Sequence, residues 1–195
     1  TEPAGVILAG GLATRMGGGD KCLLPLGGAP MLEGIIARLK PQVSALALNA
    51  NGDAARLARF GLPVVADSVE GFAGPLAGVL AGLDWAAEQS IESIVTAAGD
   101  TPFFPQDLVV RLLAATEGME HPLALAATPD GRQPTFGLWP VALRHDLRAA
   151  LEGGLRKVVM WTDAHGGRVA EFDEAGDPFF NINTPEDLAK AEASL

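Results

Sequence analysis

The stretch that decides the fold runs from Val6 to Gly28 and reads VILAGGLATRMGGGDKCLLPLGG. It begins as a continuous apolar run, typical of a strand that is covered on both faces of a sheet. A glycine-rich segment follows, after which Asp20 and Lys21 stand side by side. Backbone amides beside glycines can approach a phosphate closely, and Arg15 and Lys21 add positive charge. The stretch therefore predicts a polyphosphate-binding loop at the carboxyl end of a strand.

Two familiar phosphate-binding loops do not fit this segment. A Walker loop needs Gly-Lys-Ser/Thr at the start of a helix, whereas here Asp20 precedes Lys21 and Cys22 follows it. A dinucleotide fingerprint needs its glycines directly ahead of a helix, whereas this chain continues into CLLPLGG, which predicts an extended piece and a turn. Taken alone, the glycines at 17–19 are also compatible with an ordinary surface loop.

Apolar runs recur along the chain with helical patterns between them. Strands are predicted at 5–9, 45–49, 62–66, 93–97, 123–127 and 134–139, and helices at 30–40, 53–60, 76–89, 105–117, 140–152 and 185–194. This alternation predicts an α/β fold, three-layer α/β/α and Rossmann-like, with a mostly parallel sheet. The alternation weakens after Ala127, which predicts an antiparallel edge. The length of 195 residues favours a single domain, 1–195.

Composition argues against several classes of protein. A net charge of -10 at pH 7 disfavours nucleic-acid binding, which needs clustered Lys and Arg. No apolar run reaches the ~18 residues of a membrane helix, so no membrane association is expected. Cys22 is the single cysteine, which rules out an intramolecular disulfide and leads us to expect a cytoplasmic protein.

Polar side chains follow three predicted strands, at the edge of the sheet where ligands bind in α/β folds. Asn49 ends one strand, and Asp67 and Asp100 follow two others. A carboxylate at Asp100 suits Mg²⁺, which takes few protein oxygens and fills its other positions with phosphates and water. Capping of a turn through Thr101 is the alternative for Asp100. A histidine metal site is not expected, because no spaced cluster is formed by His121, His145 and His165.

Seven motifs in order carry a resemblance to a known family. They are LAGG with RMGGGDK and LLPLGGAPM, LNAN at 48–51, VVADSVEGFAGPLAG at 64–78, GDTPFFP at 99–105, QPTFGLWP at 133–140, RKVVMW at 156–161 and FFNINTPEDL at 179–188. Together they resemble the molybdenum cofactor guanylyltransferase family, within the wider group of nucleotidyltransferases. The resemblance implies transfer of GMP from GTP to the terminal phosphate of molybdenum-bound molybdopterin, with release of pyrophosphate.

The resemblance also implies roles for particular residues. Contacts to GTP are implied for Leu8, Ala9, Gly10, Lys21, Asn49, Asp67 and Asp100. Catalytic roles are implied for Arg15, Lys21 and Asp100, with Asp100 as the Mg²⁺ ligand. The resemblance places Asn181 and Asn183 near the metal or the pterin substrate. Contacts to the pterin substrate are also expected for Arg15 and Arg156, because a guanidinium suits its phosphate.

Some of these residues have simple alternatives or additional physical support. Asn181 and Asn183 flank Ile182 in an extended segment, so they are expected on one face. Arg156 is equally compatible with a solvated helix face. Asn51 is interpreted as a turn residue, and the segment 184–187 is explained by helix initiation.

Other functions stay open at this point. One is a molybdenum cofactor cytidylyltransferase, although LAGG rather than LAAG around Gly10 favours guanine. Another is a nucleotide-binding protein that delivers the cofactor or regulates its use without turnover. The acidic surface is compatible with transient docking to molybdenum-insertion proteins or molybdoenzymes. A nicotinamide oxidoreductase is disfavoured because the dinucleotide fingerprint is missing.

Overall fold

The structure is a computed structural model that describes residues 2–10, 20–69 and 74–195. The strands are β1 Ala4–Leu8, β2 Pro25–Leu26, β3 Ala29–Pro30, β4 Leu46–Asn49, β5 Val64–Val65, β6 Ser93–Ala98, β7 Ala124–Thr128, β8 Gly131–Pro140 and β9 Arg168–Glu171. The α-helices are α1 Met31–Leu39, α2 Pro75–Glu88, α3 Leu108–Ala115, α4 Arg144–Glu152, α5 Val158–Ala164 and α6 Pro185–Ala193. Short 3-10 helices cover Lys21–Leu23, Lys40–Gln42, Ala54–Phe60 and Val141–Leu143.

The main sheet has the strand order β5-β4-β1-β6-β8-β7-β9. Within it β8 runs antiparallel to both of its neighbours, whereas the other strands run in one direction. The mostly parallel sheet is thus confirmed, but its antiparallel strand lies third from the edge rather than at the edge. The reason is that residues 137–140 are buried and pair with β6, while β7 carries β9 on its other side.

Helices cover both faces of this sheet and give the predicted three layers. Neighbouring strand residues alternate between two apolar clusters, as Val6 and Ile7 do in β1. One cluster is completed by α1, α3 and α6, and the other by α2, α4 and α5. The α/β/α fold is therefore confirmed.

Helix α5 was not predicted, and the predicted helix at 53–60 is a 3-10 helix. The run VVMW is compatible with strand and helix alike, and only its packing against α4 and the sheet decides between them. No helix in the described part of the chain has the length and apolar character needed to span a membrane.

Two glycines allow close approach where β1, β4 and β6 end. The N–H of Gly99 donates to Leu8 O at 3.0 Å, and a Cβ on Gly99 would lie 3.0 Å from that same oxygen. A Cβ on Gly78 of α2 would lie 2.3 Å from Oδ1 of Asn49. The glycines therefore let the exits of the strands and the start of α2 converge on one edge of the sheet.

Candidate active site

A cleft opens at the carboxyl edge of the sheet, where the strand exits predict a ligand site. Its described lining is formed by Leu8, Ala9, Lys21, Cys22, Pro75, Ala98, Gly99, Asp100, Thr135 and Asn181. Several of the residues predicted from sequence thus share one cleft. Gly10 is exposed and follows the lining residue Ala9 in the chain.

Lys21 lies at the centre of a polar cluster in this cleft. Its Nζ lies 3.0 Å from Oδ2 of Asp100 and donates to Oδ1 of Asn183 at 2.7 Å. The side chains of Lys21 and Asp100 are only 16% and 24% exposed. Because partial burial weakens solvent screening, the cluster is a strong local electrostatic feature. The fold brings these residues together although Asp100 lies 79 positions and Asn183 lies 162 positions after Lys21 in the chain.

Thr101 links Asp100 to the segment before α6. Its hydroxyl lies 2.9 Å from Oδ1 of Asp100 and 2.7 Å from Oδ1 of Asn181, and its single proton serves one of them at a time. The backbone N–H of Ile182 donates to Asp100 O at 2.9 Å. With Ile182 buried, the amides of Asn181 and Asn183 both face the Asp100 segment, as their spacing predicts.

The start of α6 fixes the position of Asn183. Thr184 and Asp187 form a reciprocal cap, and Oδ2 of Asp187 accepts from the backbone N–H of Asn183 at 3.0 Å and of Thr184 at 3.1 Å. The bond from Asn183 is the main reason that the pKa of the Asp187 carboxyl is lowered. Helix initiation is thus an incomplete account of 184–187, because the same cap holds a residue of the cleft.

Asn49 and Asp67 meet at the ends of β4 and β5. Nδ2 of Asn49 donates to Oδ1 of Asp67 at 3.0 Å and to Val65 O at 3.1 Å. Asn51 makes two further bonds with Asp67: its Nδ2 donates to Oδ2 at 3.0 Å, and its Oδ1 accepts from the Asp67 N–H at 2.8 Å. Asn51 is therefore a partner of Asp67 rather than only a turn residue. The N-x-N spacing, which places alternate residues of an extended segment on one side, is the signal that could have revealed it.

Cys22 lines the cleft, and its thiol is poorly suited to act as a nucleophile. Its thiol is buried, with Sγ 3.8 Å from Ala9 O. Burial, together with the negative charge of Asp20, raises the pKa of Cys22 to about 11. Because the thiolate is the reactive form, this thiol reacts slowly at neutral pH while it stays buried.

The two arginines predicted from sequence are placed differently. Arg15 lies outside the described residues. Arg156 lies in the connection from α4 to α5 and donates to Leu151 O at 3.2 Å and Leu155 O at 2.7 Å. The end of β8 pairs with the start of β6 and therefore lies at the edge of the sheet where the parallel strands begin. Helix α4 follows β8 and leads back across the sheet. The connection that carries Arg156 is therefore at the carboxyl edge, where the cleft lies.

The oxygen donors of the cleft fit a hard divalent cation that takes few protein ligands and fills its other coordination positions with phosphate oxygens and water. Asp100 supplies a carboxylate, and Asn181 and Asn183 supply neighbouring amide oxygens. Among the described residues no group of three or more His, Cys, Asp or Glu side chains could hold a metal by itself. One carboxylate beside space for phosphates is the arrangement that Mg²⁺ uses with nucleotides.

Solved structures share this fold along the whole chain. A molybdopterin-guanine dinucleotide biosynthesis protein A from Archaeoglobus fulgidus superimposes with a TM-score of 0.76 over 98% of this chain and 97% of that one, at 24% identity. A CMP:2-keto-3-deoxy-manno-octonic acid synthetase in complex with CTP has a TM-score of 0.75 over 100% of this chain and 98% of that one, at 13% identity. The fold is that of the nucleotidyltransferases.

Sequence comparison narrows the class to one family. The model of the MobA-like NTP transferase domain matches residues 5–167. A molybdenum cofactor guanylyltransferase of Mesorhizobium japonicum is 54% identical over 198 residues, covering 98% of this chain and 95% of that protein. One from Nitrobacter hamburgensis is 51% identical, covering 96% and 92%. The chain belongs to the MobA-like NTP transferase family and is a nucleotidyltransferase.

Proposed function

We propose that this enzyme transfers GMP from GTP to the terminal phosphate of molybdenum-bound molybdopterin, forming the guanine dinucleotide cofactor and releasing pyrophosphate. Its relatives at 51–54% identity are named molybdenum cofactor guanylyltransferases. The observation that carries the proposal is the meeting of Lys21, Asp100 and Asn183 at the edge of the sheet where β4 and β5 end in Asn49 and Asp67.

Asp100 is the residue proposed to hold Mg²⁺ together with the phosphates of GTP. The ion would supply charge neutralisation at the phosphates when bound. Asp100 follows β6 after Gly99, and its carboxylate lies 2.9 Å from the hydroxyl of Thr101 and 3.0 Å from Nζ of Lys21. Asn181 and Asn183 add oxygen atoms beside it.

The transfer needs positioning and charge compensation rather than a general base. The acceptor is a phosphate monoester with a second pKa of ~6, so it is largely dianionic at neutral pH and already nucleophilic. The obstacle is the approach of two anions, with the attacking oxygen in line with the α-phosphorus of GTP. Lys21 offers an ammonium in the partly buried cleft, and Arg15 is proposed as a second cation.

Asp67 is proposed to read the guanine base. Its two carboxylate oxygens already accept from Asn49 and Asn51, which orients the group. Each oxygen keeps a further lone pair, so the carboxylate can also accept from N1–H and the exocyclic amine of guanine. Adenine offers no donor at N1, so this arrangement favours GTP over ATP.

Contacts to the pterin are proposed for the part of the cleft beside Asp100. Asn181 and Asn183 present amide groups there, and Arg156 lies at the same edge of the sheet. Amide and guanidinium groups are suitable partners for a polar ring system and its phosphate.

Mass spectrometry of the reaction product tests the function directly. The protein is incubated with Mg²⁺, molybdate-loaded molybdopterin and either GTP or CTP, and the expected product is the guanine dinucleotide together with pyrophosphate. Asp100→Asn should give no product above background. A cytosine dinucleotide formed in preference would assign the alternative cytidylyltransferase activity, and nucleotide binding without pyrophosphate release would assign a non-catalytic role.

A further inference from the structure

Arg56 connects two parts of the candidate site that are distant in sequence. It lies in the 3-10 helix after β4, and its Nε lies 2.6 Å from Oδ2 of Asp20. One terminal nitrogen donates to Asn51 O at 2.8 Å and the other donates to Asp53 O. A single guanidinium therefore holds the residue before Lys21 and the loop that carries Asn51.

The environment makes this contact stronger than an ordinary surface ion pair. The side chains of Arg56 and Asp20 are 28% and 12% exposed. The pKa of Arg56 is raised, chiefly by its hydrogen bond to Asp20. A planar guanidinium can also serve three acceptors in fixed directions, which an ammonium cannot do.

The hydrogen bonds continue from Arg56 to the predicted base-reading residue. Arg56 holds the carbonyl of Asn51, and the side chain of Asn51 makes two hydrogen bonds with Asp67. Asp20 stands at the other end of this path, directly before Lys21. The path thus runs from the phosphate end of the proposed nucleotide site to its base end.

We propose that Arg56 is a positioning residue that holds the segment of Asp20 and Lys21 in a fixed relation to the Asn51–Asp67 pair and so favours GTP over CTP. Guanine offers Asp67 two neighbouring donors, N1–H and the exocyclic amine, whereas cytosine offers only its exocyclic amine, so a carboxylate held in one orientation favours GTP. The inference rests on the proposed function, since it takes these two residues as nucleotide contacts. Fixing this relation in advance lowers the ordering cost of binding the correct ligand.

Hydrogen exchange of the free protein tests the link without any nucleotide. In Arg56→Gln, we expect faster exchange in peptides covering 20–24 and 64–69, because both segments lose a common anchor. Arg59→Gln is the matched control, since Arg59 lies on the same 3-10 helix and contacts Phe60. Equal exchange in the two variants would contradict the link.

Nucleotide binding then tests selectivity. Dissociation constants for GTP and CTP are measured by titration calorimetry in the presence of Mg²⁺ for the wild type, Arg56→Gln, Arg56→Lys and Arg59→Gln. We expect Arg56→Gln to weaken GTP binding about tenfold and CTP binding much less, so that discrimination falls. The GTP affinity of Arg56→Lys should lie between those of the wild type and Arg56→Gln. The lysine keeps a positive charge that can pair with Asp20, but it loses the guanidinium that reaches the carbonyls of Asn51 and Asp53.

The outcomes separate the two proposals. A wild-type protein that binds neither nucleotide contradicts the proposed function. A wild type that prefers GTP, with an unchanged GTP to CTP ratio in Arg56→Gln and Arg56→Lys, contradicts only the role of Arg56. A purely structural role would lower the melting temperature of the variants while leaving that ratio unchanged in the folded protein.

Discussion

The ammonium of Lys21 lies 3.0 Å from the carboxylate of Asp100, the residue proposed to hold the metal ion. In the absence of ligands, the two charges neutralise each other in a partly buried cleft, and Asn183 accepts a further hydrogen bond from the same ammonium. A divalent cation must therefore compete with Lys21 for Asp100. GTP offers the ammonium new partners, so nucleotide and metal should bind more tightly together than apart.

We predict that Lys21→Met raises the affinity of the free protein for Mn²⁺ severalfold, because the competing ammonium is removed. Electron paramagnetic resonance of Mn²⁺ without nucleotide measures this directly. Asp100→Asn is the comparison variant and should lose the binding. In the presence of GTP the order should reverse, with Lys21→Met weaker than the wild type. Equal Mn²⁺ affinity of Lys21→Met and the wild type without nucleotide would contradict the competition.

Gly78→Ala should disturb Asn49 and weaken GTP binding. The added Cβ would lie 2.3 Å from Oδ1 of Asn49, so the amide must move and its bond to Asp67 is strained. We expect a loss of stability of about 1–3 kcal/mol by denaturant unfolding and a higher KM for GTP. Gly34→Ala in α1 is the control, since its Cβ would meet no described atom within 4 Å and a helical alanine should stabilise the protein slightly. Similar effects of the two substitutions would argue against this account.

Asp187→Ala should affect turnover although Asp187 lies outside the cleft lining. Removing its carboxylate frees the backbone N–H of Asn183 and destroys the cap of α6. We expect a stability loss of about 1 kcal/mol from the cap together with a lower kcat, because Asn183 no longer meets Lys21 in one position. Glu186→Ala, on an exposed side chain of the same helical turn, should leave kcat unchanged. Loss of stability without a change in kcat would limit Asp187 to a structural role.

Stability should depend on pH through Asp84 of α2. Burial alone would raise the pKa of Asp84, but hydrogen bonds from Ser68, Arg148 and Arg144 outweigh it and lower the pKa. A carboxyl whose pKa is lower in the folded state contributes stability above its unfolded pKa of about 4, and this contribution is lost as the pH falls through the folded value.

Asp84→Asn should therefore cost about 2 kcal/mol at pH 7, with the difference from wild type shrinking below about pH 4. Urea unfolding at a series of pH values measures both quantities. Asp163→Asn is the control, because the pair of Asp163 with Arg132 is more exposed and should contribute little. A difference between Asp84→Asn and wild type that stayed constant down to pH 2 would rule out titration of Asp84 as its source.

The sequence predicted the residues whose position depends on the local pattern. Asn49 and Asp100 are recognisable because a polar residue at the end of an apolar run emerges at the ligand edge of an α/β sheet. The N-x-N spacing could have pointed to Asn51, whereas the roles of Arg56 and Asp187 depend on partners that only the folded chain supplies. The interior place of β8 was missed for a similar reason, because strand order is decided by pairing between distant segments.

Cys22 gives this protein a natural reporter of motion in the cleft. The thiol is the single one in the chain, and it is buried with Sγ 3.8 Å from Ala9 O. An alkylating reagent labels this buried thiol appreciably only when local opening exposes it and lowers its pKa, so the rate of labelling measures how often the cleft opens. The labelling rate of Cys22 therefore reports local opening of the intact wild-type protein, and no engineered label is needed.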